Sequence, residues 1–230
     1  MPSDELEWLP EPHRDALRSM YSGEPQRGSD GELHAIDSTT RISIPDGKAI
    51  YSLCTTQAVT SILEVGLGYG FSTVFLLAAL DRTGHGTHTA IDPFQETDWK
   101  GMGVTRARRL ASCSTALTSD AFQWIEDRSD RALVDLERAG RTYGMIFIDG
   151  YHRFDDVLVD FCLSARICHT GGFIVLHDKW MDSVKAVTSF IRHNRKDFVE
   201  VESPCDDLVV FRRRAQDRRD WRHFIDFPLR

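Results

Sequence analysis

The chain has 230 residues, a formal net charge of −7 and 41% hydrophobic residues. This length suits one α/β domain with a modest extension, and the hydrophobic content is enough for a full core. The negative charge argues against a nucleic-acid partner, because phosphate binding usually needs a basic face. The 5 cysteines include no C-x-x-C pair, which disfavours structural zinc or a disulfide framework and predicts reduced thiols in a cytoplasmic protein. No apolar segment is long enough to span a bilayer, and the acidic start does not resemble a signal peptide.

The N-terminal region, residues 1–60, lacks the alternation of strands and helices that follows it. It has too few large apolar side chains for a core of its own, so we expect a cap over a ligand cleft rather than an independent domain. Within it, residues 46–60 are predicted to form a helix. Residues 61–214 are predicted to form the core domain and residues 215–230 a docking tail. The aromatic part of the tail, 221–227, is a candidate contact with a partner chain in a homo-oligomer.

Short apolar segments alternate with helical patterns from residue 61 onward. The predicted strands are 61–65, 88–91, 116–118, 145–148, 173–176, 198–201 and 208–211. The predicted helices are 71–81, 99–111, 121–140, 154–168 and 183–194. This order predicts an α/β fold with a mostly parallel sheet and helices on both faces, in which the last two strands pair antiparallel because their link is too short for a helical crossover. Arg106, Arg108 and Arg109 are expected on an exposed helix face.

Three glycines at alternate positions follow the first strand. Gly66, Gly68 and Gly70 lie between a buried apolar segment and a helix that begins at residue 71. Glycine allows a tight turn and lets a ligand approach the backbone, so this pattern is typical of a nucleotide-type site at the carboxyl edge of a sheet. The alternative is a glycine turn that only packs the strand against the helix.

Acidic residues near these glycines indicate the kind of ligand. Glu64 lies at the strand end, where its carboxylate can meet an amino group of the ligand directly or through water. Asp92 ends the second strand, where an acid accepts hydrogen bonds from a ribose diol; the alternative is a turn residue before proline. Ser119 and Asp120 are predicted to end the third strand, where Asp120 can reach an adenine amino group or cap the next helix. The set predicts an adenosine-containing cofactor.

A second group of polar residues follows the fourth and fifth strands. Asp149 ends the fourth strand, and His177 and Asp178 end the fifth. Neighbouring parallel strands end at the same edge of a sheet, so these side chains are expected to converge. Two carboxylates and an imidazole predict a divalent-metal site that suits Mg²⁺ and tolerates Mn²⁺ or Fe²⁺. His152, three residues beyond Asp149, is a candidate general base; the alternative is a surface or capping histidine.

Four segments together resemble the methyltransferases that are grouped with macrocin O-methyltransferase. They are residues 63–70, 91–94, 147–154 and 171–178, and the resemblance covers about residues 61–194. It implies a Rossmann-like class I methyltransferase fold, with a seven-stranded, mostly parallel sheet and a reversed last strand. It also implies S-adenosylmethionine (SAM) as the methyl donor and, in several members, a Mg²⁺ ion that binds two substrate hydroxyls.

The resemblance also implies roles for individual residues. The metal-binding acids fall on Asp149 and on the pair His177-Asp178, although metal-dependent relatives have an acidic or amide residue where His177 stands. His152 matches a base that is proposed in some relatives. The predicted SAM contacts are Glu64, Gly66, Gly68, Gly70, Ser72, Asp92, Ser119, Asp120 and Asp149.

The predicted reaction is O-methyl transfer from SAM to a hydroxylated small molecule, a sugar or a natural product, with Asp149 and His152 as catalytic residues. One alternative is a nicotinamide-dependent oxidoreductase, which would need a catalytic Tyr-Lys pair. Another is a metal-dependent hydroxylase-like or lyase-like enzyme on the same scaffold, because fold alone does not fix function. A third is a non-catalytic SAM-binding protein. The sequence leaves the acceptor and the oligomeric state open.

Overall fold

A computed structural model describes residues 4–37, 39–118, 120–203 and 205–228 of the chain. After a short 3-10 helix, Asp4–Leu6, the α-helices are α1 Glu11–Tyr21, α2 Ile44–Thr56, α3 Phe71–Thr83, α4 Met102–Cys113, α5 Ser129–Arg138, α6 Phe154–Ile167 and α7 Asp182–Asn194. The strands are β1 Gln26–Arg27, β2 Leu33–His34, β3 Ser61–Val65, β4 Thr87–Ile91, β5 Phe122–Ile125, β6 Tyr143–Ile148, β7 Cys168–Leu176, β8 Phe198–Val201 and β9 Val209–Arg213. Among these residues, none of the helices combines the length and the apolar character that a membrane crossing needs.

The larger sheet has seven strands in the order β5-β4-β3-β6-β7-β9-β8, within the described part of the chain. The pairs β3–β4, β4–β5 and β6–β7 are parallel, and β9 runs antiparallel to both β7 and β8. All residues of β6 are buried, as expected for a strand that is covered on both faces. These features confirm the predicted Rossmann-like sheet with a reversed last strand. The short strands β1 and β2 form a separate antiparallel hairpin.

The chain divides into two compact units, Met1–Asp127 and Arg128–Arg230. In the first unit, α2 packs against α3. A Cβ atom on Gly47 would lie 2.1 Å from the Phe75 ring, so the close approach of these helices requires a glycine there. The helix that the sequence predicts at 46–60 is present in the structure, where it extends from Ile44 to Thr56.

In the second unit, the C-terminal tail contacts α7. The Asn194 side chain donates a hydrogen bond to the Ile225 carbonyl oxygen and accepts one from the Ile225 N–H, both at 2.8 Å. The Phe190 and Phe227 rings pack edge to face, with 5.7 Å between their centroids. These contacts tie residues near the end of the chain to the last helix.

The third strand of the sheet differs from the prediction. The sequence predicts a strand at 116–118 and a helix from 121, whereas the structure has irregular backbone over 114–118, β5 at Phe122–Ile125, and α5 only from Ser129. The prediction is wrong because β5 is an edge strand that pairs with β4 alone. Only Phe122 of this strand is buried, so it lacks the continuous apolar segment by which an inner parallel strand is identified.

Candidate active site

β3 leads into the glycine loop, residues 66–70, which ends where α3 begins. Gly66, Gly68 and Gly70 have φ angles of 92°, 51° and 82°, in the left-handed region that favours glycine. The loop also packs closely against the start of α4, where a Cβ atom on Gly103 would lie 2.5 Å from the Gly68 carbonyl oxygen. The turn and the close packing explain why this segment needs glycines.

Asp92 follows β4 and binds the glycine loop through its carboxylate. Its Oδ2 accepts hydrogen bonds from the N–H groups of Gly68 at 2.8 Å and Leu67 at 3.2 Å. Its Oδ1 accepts one from the Phe94 N–H at 2.8 Å. The side chain is therefore fixed beside the loop, with acceptor capacity left on Oδ1. Its contact with a ribose diol stays a prediction.

Gln95 is a residue of this site that the sequence analysis does not identify. Its amide Nε2 donates to the Gly68 carbonyl oxygen at 2.8 Å and to Asp92 Oδ2 at 3.0 Å. Its Oε1 accepts the Val104 N–H at 3.3 Å. The available signal was a polar residue closely following the Asp-Pro pair at a strand end. Gln95 joins the loop, the acid and α4 in one network.

Glu64 lies wholly buried at the end of β3, among polar groups from α3 and β4. The Ser72 hydroxyl donates to its Oε1, and the Thr73 hydroxyl donates to its Oε2 at 2.7 Å. His88 Nε2 lies 3.0 Å from the same Oε2. The sequence predicts Glu64 and Ser72 beside the loop but does not identify Thr73 or His88. The contact of Glu64 and Ser72 with a cofactor stays a prediction.

Arg106 is buried, whereas Arg108 and Arg109 are exposed. Its guanidinium donates to the Tyr69 carbonyl oxygen in the glycine loop and, at 2.6 Å, to Gln26 Oε1 in β1. Burial, and next the charge of Arg109, lower the pKa of Arg106 to about 10. The predicted exposed face is therefore wrong for Arg106, because two protein acceptors replace water around its guanidinium.

The hairpin of β1 and β2 contacts the segment that follows β4. The Ser29 N–H donates to the Lys100 carbonyl oxygen at 2.9 Å, and the Ser29 hydroxyl donates to Glu96 at 2.7 Å. Together with the bond from Arg106 to Gln26, these contacts link the N-terminal region to the glycine loop and its surroundings. The role of residues 1–60 as a cap stays a prediction.

Of the predicted cofactor contacts after the third predicted strand, one is not described and the other does not take the expected place. Ser119 lies outside the described residues. Asp120 lies in the turn before β5, and Phe122 pairs with His88 near the start of β4. Asp120 is therefore at the amino end of its strand, opposite to the carboxyl end at which Asp92 follows β4. Its predicted position at a carboxyl end is wrong because the strand begins after it.

In the second unit, four residues that follow β6 and β7 form a polar cluster: Asp149, His152, His177 and Asp178. His152 Nε2 lies 3.0 Å from Asp178 Oδ2. His177 Nδ1 lies 3.1 Å from Asp149 Oδ1 and 3.4 Å from Asp178 Oδ2. The structure thus brings together all four residues that the sequence singles out at these strand ends.

The two carboxylates of the polar cluster differ in their electrostatics. Burial raises the pKa of Asp149, although hydrogen bonding to His177 acts in the opposite direction. Burial also acts to raise the pKa of Asp178, but the hydrogen bond and charge of His177, the charge of His152 and the Trp180 hydrogen bond lower it overall. Trp180 Nε1 donates to Asp178 Oδ1 at 2.9 Å. Asp178 is therefore the carboxylate that more strongly favours the negative form.

The polar cluster also offers a set of atoms that can hold a cation. Carboxylate oxygens of Asp149 and Asp178 and a ring nitrogen of His152 lie within 4.8 Å of one another. The other imidazole, His177, directs Nδ1 toward both carboxylates, and its Nε2 lies 3.7 Å from Asp207 Oδ2. His152 thus joins the predicted ligands Asp149, His177 and Asp178 as a possible nitrogen donor.

A family model described as a methyltransferase domain matches residues 63–179, about half of the chain. No curated protein matches the chain. Among solved structures, the O-methyltransferase TomG from Streptomyces achromogenes, involved in tomaymycin synthesis and bound to SAM, is 16% identical over 91% of this chain and 93% of that chain, with a TM-score of 0.62. An O-methyltransferase from Bacillus cereus in complex with SAH (S-adenosylhomocysteine) is 14% identical over 91% and 93%, with a TM-score of 0.61. The SAH-bound methyltransferase PaMTH1 from Podospora anserina is 12% identical over 90% and 89%, with a TM-score of 0.65.

The segment that matches the family model contains the features described above. It includes the glycine loop, Asp92 and the whole polar cluster. The three solved structures are similar over nearly the whole chain and share its fold. The chain therefore belongs to the methyltransferase-domain family.

Proposed function

We propose that the chain transfers a methyl group from SAM to a hydroxyl group of a small molecule. The observation that carries this proposal is the polar cluster, in which two carboxylates and two imidazoles lie together after neighbouring parallel strands. A protein that only binds SAM has no need of such a cluster, whereas a hydroxyl acceptor must lose a proton during methylation. Two similar solved structures, TomG and the Bacillus cereus enzyme, are O-methyltransferases, which supports this reaction class.

The first unit supplies the proposed cofactor site. SAM carries a methyl group on a sulfonium centre that is already reactive, so the protein mainly has to bind and orient it. The glycine loop presents backbone to the ligand, and Asp92 Oδ1 accepts a ribose hydroxyl in addition to the Phe94 N–H. Glu64, with Ser72 and Thr73 on its carboxylate, recognises the amino group of the amino-acid end.

His152 is the proposed general base. Its side chain is 30% exposed, so an acceptor can reach it, and Asp178 Oδ2 lies 3.0 Å from its Nε2. The carboxylate orients the ring and favours a proton on Nε2, which leaves Nδ1 to take the proton of the acceptor hydroxyl. Asp178 is in turn fixed by the hydrogen bond from Trp180. Asp149 pairs with His177, whose Nδ1 lies 3.1 Å from Asp149 Oδ1.

A divalent cation fits the donor set of the polar cluster. Asp149 and Asp178 provide the oxygen ligands that Mg²⁺ prefers, and His152 or His177 can add a nitrogen. When bound, the cation would supply Lewis acidity that lowers the pKa of the acceptor hydroxyl and fixes its orientation.

Removal of divalent cations is expected to abolish methyl transfer. The protein would be treated with EDTA, desalted and assayed with and without added MgCl₂, and added Mg²⁺ is expected to restore the rate. SAH binding, measured on the same samples, is the control and is expected to stay unchanged because the cofactor contacts do not include the cation. Full methyl transfer in EDTA would contradict the metal assignment while leaving the transferase assignment intact.

The proposed acceptor is a sugar or another hydroxylated natural product. Tyr151 directly precedes His152, and Trp180 lies two residues after Asp178; the two aromatic residues are 58% and 65% exposed. Such rings can pack against a flat or apolar face of a small molecule while its hydroxyl reaches the cluster. TomG is involved in tomaymycin synthesis, which supports a natural product as acceptor.

The function is tested by ligand preference and by transfer of label. SAH at about 100 times its Kd is expected to stabilise the folded chain by about 2.7 kcal/mol and to raise the Tm, whereas NAD leaves the Tm unchanged. With methyl-labelled SAM and a set of catechols and sugar nucleotides, label is expected in an ether product. Stabilisation by NAD instead of SAH would favour an oxidoreductase, and binding of neither ligand would refute the proposed cofactor.

A further inference from the structure

His88, in β4, places its imidazole against Glu64 in the interior of the first unit. Both side chains are 0% exposed, and His88 Nε2 lies 3.0 Å from Glu64 Oε2. Among the described residues, neither ring nitrogen makes a hydrogen bond of normal geometry, and the ring packs edge to face on Phe122 at 5.5 Å. A buried polar ring without good hydrogen bonds destabilises a fold unless another interaction compensates for it. The Glu64 carboxylate beside Nε2 provides that interaction.

The acceptor sites of Glu64 are divided unequally between its two oxygens. An ionised carboxylate offers about four acceptor sites. The Ser72 hydroxyl takes one site on Oε1, and the Thr73 hydroxyl lies on Oε2, the oxygen that His88 also approaches. The remaining acceptor capacity of Glu64 is therefore on Oε1.

We infer that His88 is a positioning residue for the amino-acid end of the methyl donor. This inference rests on the proposed function, in which Glu64 recognises the amino group of SAM. His88 and Thr73 together hold Oε2, so that the acceptor site left for the ligand ammonium group is on Oε1, beside the Ser72 hydroxyl. Because Glu64 is 0% exposed, the groups that cover Oε1 must move apart when the ligand binds. His88 acts through Glu64 and does not itself contact the ligand.

A purely structural role for His88 would have a different consequence. Glu64 precedes the glycine loop, and its partners Ser72 and Thr73 follow it, so the network connects the two ends of the loop. If His88 only supported this connection, its loss would weaken the binding of every ligand of the loop to the same extent. If His88 positions Glu64, only ligands that carry an amino group will be affected.

Two ligands separate these roles: SAH, and 5′-methylthioadenosine (MTA), which keeps the adenosine and lacks the amino-acid group. For His88→Asn, whose amide is too short to reach Oε2, calorimetry is expected to show SAH binding weakened about 10- to 100-fold, as for loss of a contact to a buried charge. MTA binding is expected to change less than about threefold, because the adenosine contacts remain. The longer His88→Gln, which places an N–H near the position of Nε2, is expected to restore most of the SAH affinity.

His13→Phe is the matched control, because His13 is also a buried histidine of the first unit, on α1. It is expected to leave the ratio of the two dissociation constants unchanged. An unchanged ratio of the two dissociation constants in His88→Asn, whether SAH and MTA bind equally more weakly or as in wild type, would overturn the inference. If the Asn variant does not fold, the ratio is measured for His88→Leu, which removes the contact to Glu64, and compared with that for His88→Gln, which keeps an N–H near the position of Nε2. If the wild-type chain binds neither SAH nor MTA, the proposed function itself is refuted. If the wild-type chain binds both, the variants test the role of His88 alone.

Discussion

The variant His152→Ala is expected to lower kcat of methyl transfer by about 10²- to 10⁴-fold, the range for loss of a positioned general base. The side chain lies in the polar cluster, with Nε2 3.0 Å from Asp178 Oδ2, and is open to an acceptor. The Kd of SAH is expected to stay within about twofold of wild type, because the proposed cofactor contacts belong to the glycine loop, Glu64 and Asp92. Steady-state kinetics and calorimetry on one preparation measure both quantities.

His169→Ala is the matched control for this variant. His169 is an exposed histidine of β7 in the same unit, and its loss is expected to leave kcat unchanged. Chemical rescue separates two roles of His152: added imidazole restores part of the rate if His152 is the base, whereas excess Mg²⁺ restores it if His152 is mainly a metal ligand. Unchanged turnover in His152→Ala would remove the residue from the mechanism.

The parts of the site that follow directly from strand order could be predicted from the sequence. β3 and β8 have the predicted bounds, and the glycines after β3 lie in the loop that the sequence indicates. Asp149 follows β6, which is recognisable as an apolar segment, and Asp92 follows the strand that the sequence predicts at 88–91, so the rule for carboxyl ends of parallel strands places both. This inference needs only local pattern and parallel order, and both are readable in one sequence.

The parts that depend on distant partners could not be predicted. The sequence pattern predicts that Arg106 on α4 is exposed. In the structure it is buried and bonds to Gln26, 80 positions away. His88 joins the site through Glu64, and Gln95 joins it through Gly68, Asp92 and Val104, contacts that no local pattern reveals. The sequence predicts the wrong strand end for Asp120 because the edge strand β5 lacks a clear apolar period. Local periodicity predicts whether a segment is buried, but it does not predict which partner a single polar side chain contacts.

The sequence assigns the base to His152 by its position and by the family resemblance, but the distances in the polar cluster do not by themselves separate its two histidines. Each lies at contact distance from a carboxylate, His152 at 3.0 Å from Asp178 and His177 at 3.1 Å from Asp149. Residue type alone therefore does not distinguish a base from a ligand or from a counter-charge. Exposure gives a physical reason to prefer His152 as the base, since its side chain is 30% exposed and that of His177 only 8%.

Replacing Asp92 with alanine is expected to weaken the binding of SAH and of MTA by at least about 100-fold, because two losses combine. The ribose loses its acceptor, and the N–H groups of Leu67, Gly68 and Phe94 lose the carboxylate that fixes the glycine loop. Both ligands contain the ribose, so both are affected, in contrast to the selective loss expected for His88→Asn. Calorimetry with the two ligands measures the effect.

Asp92→Asn separates the loss of charge from the loss of loop geometry. Its amide oxygen can still accept the N–H groups of Leu67 and Gly68, whereas its NH₂ group cannot accept the Phe94 N–H, so the Tm is expected to fall less than in Asp92→Ala. The carboxylate that binds the ribose diol is gone, and SAH is expected to bind about tenfold more weakly. Asp98→Ala, which replaces an exposed acid shortly after Asp92, is the control and is expected to leave the Tm and the Kd of SAH unchanged. A folded Asp92→Ala variant with wild-type affinity for both ligands would show that the cofactor is not bound at this strand end.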